Sequence, residues 1–94
     1  MKAKEMFEEL GYEYYEDDGF TCYRKTYPNK KYVDFKEISF NRLGERMGVH
    51  EYRKNAGLTE FVEDVSPMKL NILSKKEIQA INKQVEELGW LNER

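Results

Sequence analysis

The chain closes two of its segments in the same way, with Glu8-Glu9-Leu10-Gly11-Tyr12 near its start and Glu86-Glu87-Leu88-Gly89-Trp90 near its end. In each, Leu ends a helical apolar pattern and Gly supplies the left-handed residue that stops a helix. An aromatic then follows where it can fold back on the last turn. Ahead of the first stop, Ala3, Met6, Phe7 and Leu10 fall on one helical stripe. Ahead of the second, Ser74 can cap, Glu77 can complete a capping box, and Leu73 can staple to Ile78. Ile78, Ile81, Val85 and Leu88 then continue one face to Gly89. Two helices of similar build therefore bracket everything between them.

Within that bracket the apolar period switches to two, and turn residues punctuate it. Asp17-Asp18-Gly19 separates Tyr12 to Glu16 from Phe20 to Tyr27, and Pro28-Asn29 separates that run from Lys31 to Phe40. Asn55-Ala56-Gly57 separates Val49 to Lys54 from Thr59 to Val65. The pattern predicts one α+β domain over residues 1–94: an N-terminal helix, an antiparallel β-meander of four to five strands, and a C-terminal helix. Both helices are expected on one sheet face. Val33 and Phe35 share a parity that Ile38 and Phe40 break, which predicts a bulge or a strand end near Lys36-Glu37. Asn41 to Gly48 reads as a loop or a short helical turn, and Met68, Leu70 and Ile72 as a short last strand.

With 39% apolar and 36% charged residues in 94, the core must rest on large side chains. Seven Tyr, five Phe and one Trp supply them. The expected core is Met6, Phe7, Leu10, Phe20, Cys22, Val33, Phe35, Ile78, Ile81, Val85 and Leu88. A formal charge of −2 argues against a dedicated duplex-binding protein. It conceals two poles: six acids and no base from Phe7 to Gly19, and five bases against Asp34 from Arg24 to Lys36. A single cysteine, Cys22, leaves no internal disulfide and fits a reducing compartment. No apolar run approaches the roughly 18 residues that span a bilayer, and the polar start lacks a signal-peptide stretch. The expectation is a cytoplasmic protein with no membrane contact.

Alternation assigns faces before any pairing is known. If Phe20, Cys22, Val33 and Phe35 point to the helices, then Tyr23, Lys25, Tyr27, Tyr32, Asp34 and Lys36 point away from them. That outer face mixes rings with bases, and Tyr23, Lys25, Tyr27, Tyr32 and Lys36 are the candidate binding residues. Their expected occupant is a protein partner or a second copy of the chain. The alternative is single-stranded nucleic acid, whose bases stack on rings while cations track its backbone. The plain alternative is that Tyr suits strands and that the Lys residues guard edges against aggregation. The helix charges give a second clue. Lys2, Lys4, Lys75 and Lys76 start the helices and Glu8, Glu9, Glu86 and Glu87 end them, each against the macrodipole. The paired Glu residues either meet a basic surface, the Arg24 to Lys36 segment of the same chain or a partner, or are simply solvated.

For catalysis the inventory is thin. His50 is the only histidine and has no ligand-spaced partner, and Gly44 and Gly48 lack the Lys and Ser or Thr of a phosphate loop. Asp34-Phe35-Lys36, with Asp18 and Glu8 or Glu9, echoes the Asp...Asp/Glu-x-Lys pattern of metal-dependent nucleases. Such a short pattern is frequent by chance, and Asp18 belongs to a turn. The residues thus point to a non-enzymatic binding module with no catalytic residue, no metal and no small-molecule cofactor, and to Mg²⁺-dependent nuclease activity as a distant third reading.

Met1 to Tyr12 and Ala80 to Trp90, the latter reading Ala-Ile-Asn-Lys-Gln-Val-Glu-Glu-Leu-Gly-Trp, resemble the ends of small uncharacterised phage and prophage proteins of low-GC Gram-positive bacteria (Firmicutes). The resemblance covers about a quarter of the chain. It implies a helix, a strand-rich middle and a closing helix, in a bacterial cytoplasmic setting with an accessory phage role. It implies no functional residues.

Overall fold

The computed structural model describes residues 1–28, 32–55, 61–62 and 72–91. Helix α1 (Ala3–Glu9) leads into strands β1 (Glu13–Asp17), β2 (Phe20–Pro28), β3 (Tyr32–Asn41), β4 (Arg46–Asn55) and β5 (Phe61–Val62), and helix α2 (Lys75–Glu87) follows. The strands form one antiparallel meander in the order β1-β2-β3-β4-β5. The α+β class and the helix–meander–helix order are those the sequence predicts. Among the described residues, no helix is long and apolar enough to cross a membrane.

Both helix ends are built as their sequences require. After α1, Gly11 N–H donates to the Glu8 carbonyl and Tyr12 N–H to the Phe7 carbonyl, each at 3.0 Å, with Gly11 at φ 92°. After α2, Gly89 and Trp90 repeat the pattern on Glu86 and Val85 at 3.0 and 3.2 Å, with Gly89 at φ 78°. These are paired Schellman closures. The Tyr12 ring folds back edge-on against Phe7, 5.5 Å between centroids. At the start of α2 the Ser74 hydroxyl accepts from Glu77 N–H at 3.1 Å, and the Glu77 carboxylate accepts from Ser74 N–H at 2.8 Å. The capping box is real.

The core lies between the helices and one sheet face, around Phe7, Tyr12, Tyr23, Ile38, Phe40, Ala80 and Ile81. Phe7 stacks on Tyr23 at 3.9 Å, and Phe40 meets both rings edge-on. Met6, Leu10, Val85, Leu88 and Trp90 pack around this cluster.

The expected core is corrected on the sheet side. Tyr23, Ile38 and Phe40 point to the helices, whereas Phe20, Cys22, Val33 and Phe35 lie on the opposite parity. Phe20 is 37% exposed, and Ile78 on α2 is 46% exposed. The break in parity along β3 is no bulge either: the strand runs unbroken from Tyr32 to Asn41 and pairs residue for residue with β4. Ile38 and Phe40 serve one face and Val33 and Phe35 the other, so the strand is apolar on both sides along different halves. Arg42 to Glu45 form the tight turn between β3 and β4, held by Asn41 Oδ1 accepting from Leu43 and Gly44 N–H at 3.1 and 3.0 Å. The turn expected at Ala56-Gly57 and the strand residues Met68 and Leu70 lie outside the described residues, and Ile72 is not in a strand.

Replacing Phe7 by Ala is expected to cost about 3–5 kcal/mol, because it empties the centre of the ring cluster. Replacing Phe20 by Ala, on the other face and partly exposed, is expected to cost less than about 1.5 kcal/mol. Urea denaturation of the two variants checks the assignment of faces; equal losses would contradict it.

Candidate functional site

Period-two geometry did keep the candidate residues together. Tyr23, Lys25 and Tyr27 on β2 pair with Ile38, Lys36 and Asp34 on β3, so one face carries them all. That face is the helix-covered one, which corrects the expectation that Tyr23, Lys25, Tyr27, Tyr32 and Lys36 point away from the helices. Tyr23 is 1% exposed and its hydroxyl donates to Gln84 Oε1 on α2 at 2.5 Å. Lys36 is 3% exposed; its Nζ donates to the Ile72 carbonyl at 2.7 Å and meets Glu77 Oε2 at 2.8 Å. Lys25 Nζ lies over the Tyr12 and Tyr27 rings at 5.8 and 5.5 Å. The Arg53 guanidinium lies 3.6 Å over the Tyr32 ring and pairs through Nε with Asp34 Oδ1 at 2.8 Å. Tyr23 and Lys36 are thus committed to the fold, whereas Lys25, Tyr27 and Tyr32 are half-buried.

Glu77 is the hub of that polar layer. One carboxylate oxygen closes the capping box, and the other accepts from Lys36 and from the Tyr12 hydroxyl. Burial opposes its ionisation, but hydrogen bonds from Lys36, Tyr12 and the Ser74 backbone outweigh burial and hold its pKa down at about 2. The Tyr12 phenol is pushed up by burial and by Glu77.

The nuclease-like pattern does not converge. Asp34 is committed to Arg53 and Lys36 to Glu77. Asp18 sits in the β1–β2 turn, beside the Phe20–Asn41 pair. Asp34 is seven residues along β3 from Asn41, which at about 3.3 Å per residue is roughly 23 Å away. Among the described residues no three His, Cys, Asp or Glu side chains are grouped to hold a metal.

The other face of the sheet has no described helix over it. Its centre is the Arg24 guanidinium, 4.9 Å over the Tyr15 ring and 5.5 Å from the Phe35 ring. Phe35 in turn stacks on Tyr52 at 5.3 Å. Glu37, opposite Arg24 on β3, pairs with it at 3.5 Å and accepts from the Tyr15 hydroxyl and, at 3.2 Å, from the Tyr52 hydroxyl. Burial first, and then the Glu37 hydrogen bond, push the Tyr15 phenol up. Cys22 lies buried between Tyr15 and Ser39 in the ladder, its thiol pushed up by burial. Arg24 Nε is buried and has no hydrogen-bond partner among the described residues.

This cluster of Tyr15, Arg24, Phe35, Glu37 and Tyr52 is the candidate site, and none of its five residues is among those expected to bind. Two signals in the sequence point to it. The tight turn at Asp18-Gly19 sets Tyr15 opposite Cys22 and Glu13 opposite Arg24, and the parity break on β3 marks a strand with apolar residues on both faces. What the arrangement offers chemically is planar stacking area around one guanidinium, with carboxylate and phenol oxygens at its centre. Compared with known families, with characterised proteins and with solved structures, the chain matches none.

Glu77→Ala strips the carboxylate from a buried ammonium and a helix cap together, and is expected to cost about 3–5 kcal/mol at neutral pH. Because the folded pKa of Glu77 lies below its ordinary 4.5, its contribution is fully present above that value and is lost as pH falls toward 2. Denaturant unfolding of wild type and variant at neutral pH and near pH 3 checks both points: the gap between them is expected to narrow in acid.

Proposed function

We propose that the protein is a non-enzymatic binding module whose sheet face turned away from the helices, open among the described residues and centred on Tyr15, Arg24, Phe35 and Tyr52, docks onto a protein surface. The observation that carries this reading is the ring–guanidinium layer on a face that no described element covers. Aromatic and Arg side chains are the residues on which protein interfaces concentrate their binding energy. The resemblance of the two end helices to phage and prophage proteins, with the lone Cys22, supports a bacterial cytoplasmic setting and an accessory role.

Single-stranded nucleic acid is the second reading, favoured by the same rings. Charge weighs against it. Arg24 is already paired with Glu37, and Glu13 and Asp17 stand on the same face.

Selection of a displayed random-peptide library on the immobilised protein tests the proposal, with counter-selection on the double variant Phe35→Gln, Tyr52→Gln. Peptides that bind the wild type and not the variant are expected. Binders indifferent to the two rings, or none, would sink it. A mixed-sequence single-stranded oligonucleotide that shifts the amide signals of Tyr15, Phe35 and Tyr52, less so at higher salt, would put the second reading in its place.

A further inference from the structure

The open face has an ordered charge pattern across its strands. Pairing sets Glu13, Arg24, Glu37 and His50 side by side in one row, and Asp17, Phe20, Asn41 and Arg46 in another. In both rows β1 supplies the acid and β4 the base. Glu13, Asp17, Arg46 and His50 are all exposed.

We infer that this face is self-complementary and that its occupant is a second copy of the chain, related by a two-fold axis parallel to the strands between β2 and β3. The inference rests on the open-face reading above. Such an axis lays β1 over β4 of the second copy and β2 over its β3. Asp17 then meets Arg46, Glu13 meets His50, and Arg24 meets Glu37, each contact made twice. The other way to stack the faces, about an axis perpendicular to the strands, puts β1 on β1 and β4 on β4. It opposes acid to acid and base to base, at a cost that charge complementarity avoids. Gly48 assists the first arrangement. A Cβ there would lie 2.9 Å from His50 Nε2, so the missing side chain lets the imidazole lie back over the strand and leaves its row low enough for a facing sheet.

The area is that of a small interface. The five residues of β1 and nine on each of β2, β3 and β4, at about 3.3 Å along and about 4.8 Å across a strand, make a face of roughly 500 Å². Two copies would bury about 1,000 Å², the size that a specific interface must reach. Sheets packed this way keep their strands aligned within about 30°.

Reciprocal charge reversal tests the geometry. Asp17 and Arg46 are exposed, so Asp17→Arg and Arg46→Asp are expected to leave folding at dilute concentration unchanged; circular dichroism checks this. Sedimentation equilibrium of the full chain is expected to show a dimer that each single reversal weakens by about tenfold or more. An equimolar mixture of the two variants is expected to recover the dimer, since the new base at position 17 of one chain then faces the new acid at position 46 of the other. A dimer lost with Phe35→Gln but indifferent to both reversals would overturn this axis while leaving the open face as the binding surface. A dimer that survives Phe35→Gln, or a chain that stays monomeric at every concentration, would overturn self-pairing through this face, and the peptide selection would then decide the open-face reading on its own.

Discussion

The placement of Tyr23 governs the rest of the structure. Its ring is stacked on Phe7 and met edge-on by Phe40, and its hydroxyl reaches Gln84 on α2. A buried phenol is tolerated only where its hydroxyl finds a partner, and Gln84 is that partner. With Tyr23 turned to the helices, the period of two commits every other residue of β2, and through the ladder the registers of β3 and β4 follow. Ile38 and Phe40 are drawn into the core. Arg24, Phe35 and Tyr52 are left on the far side.

The charges beneath the helices complete that commitment. Lys36 and Asp34 would be poor core residues alone, because an unpaired buried charge costs several kcal/mol. Each has its counter-ion in place, Glu77 for Lys36 and Arg53 for Asp34. Glu77 thereby ties β3, Tyr12 after α1, and the first turn of α2 to a single carboxylate. At the opposite end of the helix pair, Glu87 Oε2 accepts from Ala3 N–H at 2.7 Å. The negative end of α2 thus meets the positive end of α1, so Glu87, unfavourable within its own helix, is favourable across the pair. Glu87 thus meets the N-terminus of a helix and not the Arg24 to Lys36 segment.

How much of this is legible in the sequence depends on whether a signal is local. The glycine stops, the Ser74 and Glu77 capping box and the tight turn at Asp18-Gly19 are set by neighbours in the chain, and the structure has them where the residues say. The choice of sheet face is not local. Phe20 and Cys22 on one parity of β2 and Tyr23 on the other are both plausible cores by hydrophobicity. What decides between them is a glutamine on α2, sixty-one residues away. The rule that Lys and Asp point outward failed at Lys36 and Asp34 for the same reason, since their counter-ions lie on other elements. The grouping of Tyr23, Lys25, Tyr27, Tyr32 and Lys36 on one face was readable; which face it was could not be read without the tertiary pairing.

Strand edges and sheet faces differ in what they invite. β1 is a five-residue edge strand with Glu13, Glu16 and Asp17 exposed, a short acidic border that resists pairing with another strand. In the proposed self-pairing a second copy is thereby directed to the face, where the charges across one row alternate as acid, base, acid and imidazole. Alternation of this kind discriminates registers as well as partners. Slipping the facing sheet by one strand, so that the axis passes through β3, would set Glu37 against Glu37 and Arg24 against His50 of the second copy. The arrangement centred between β2 and β3 therefore gains from every polar contact in the row that its nearest competitor loses, and discrimination of that sort comes from the repulsive alternative as much as from the attractive one.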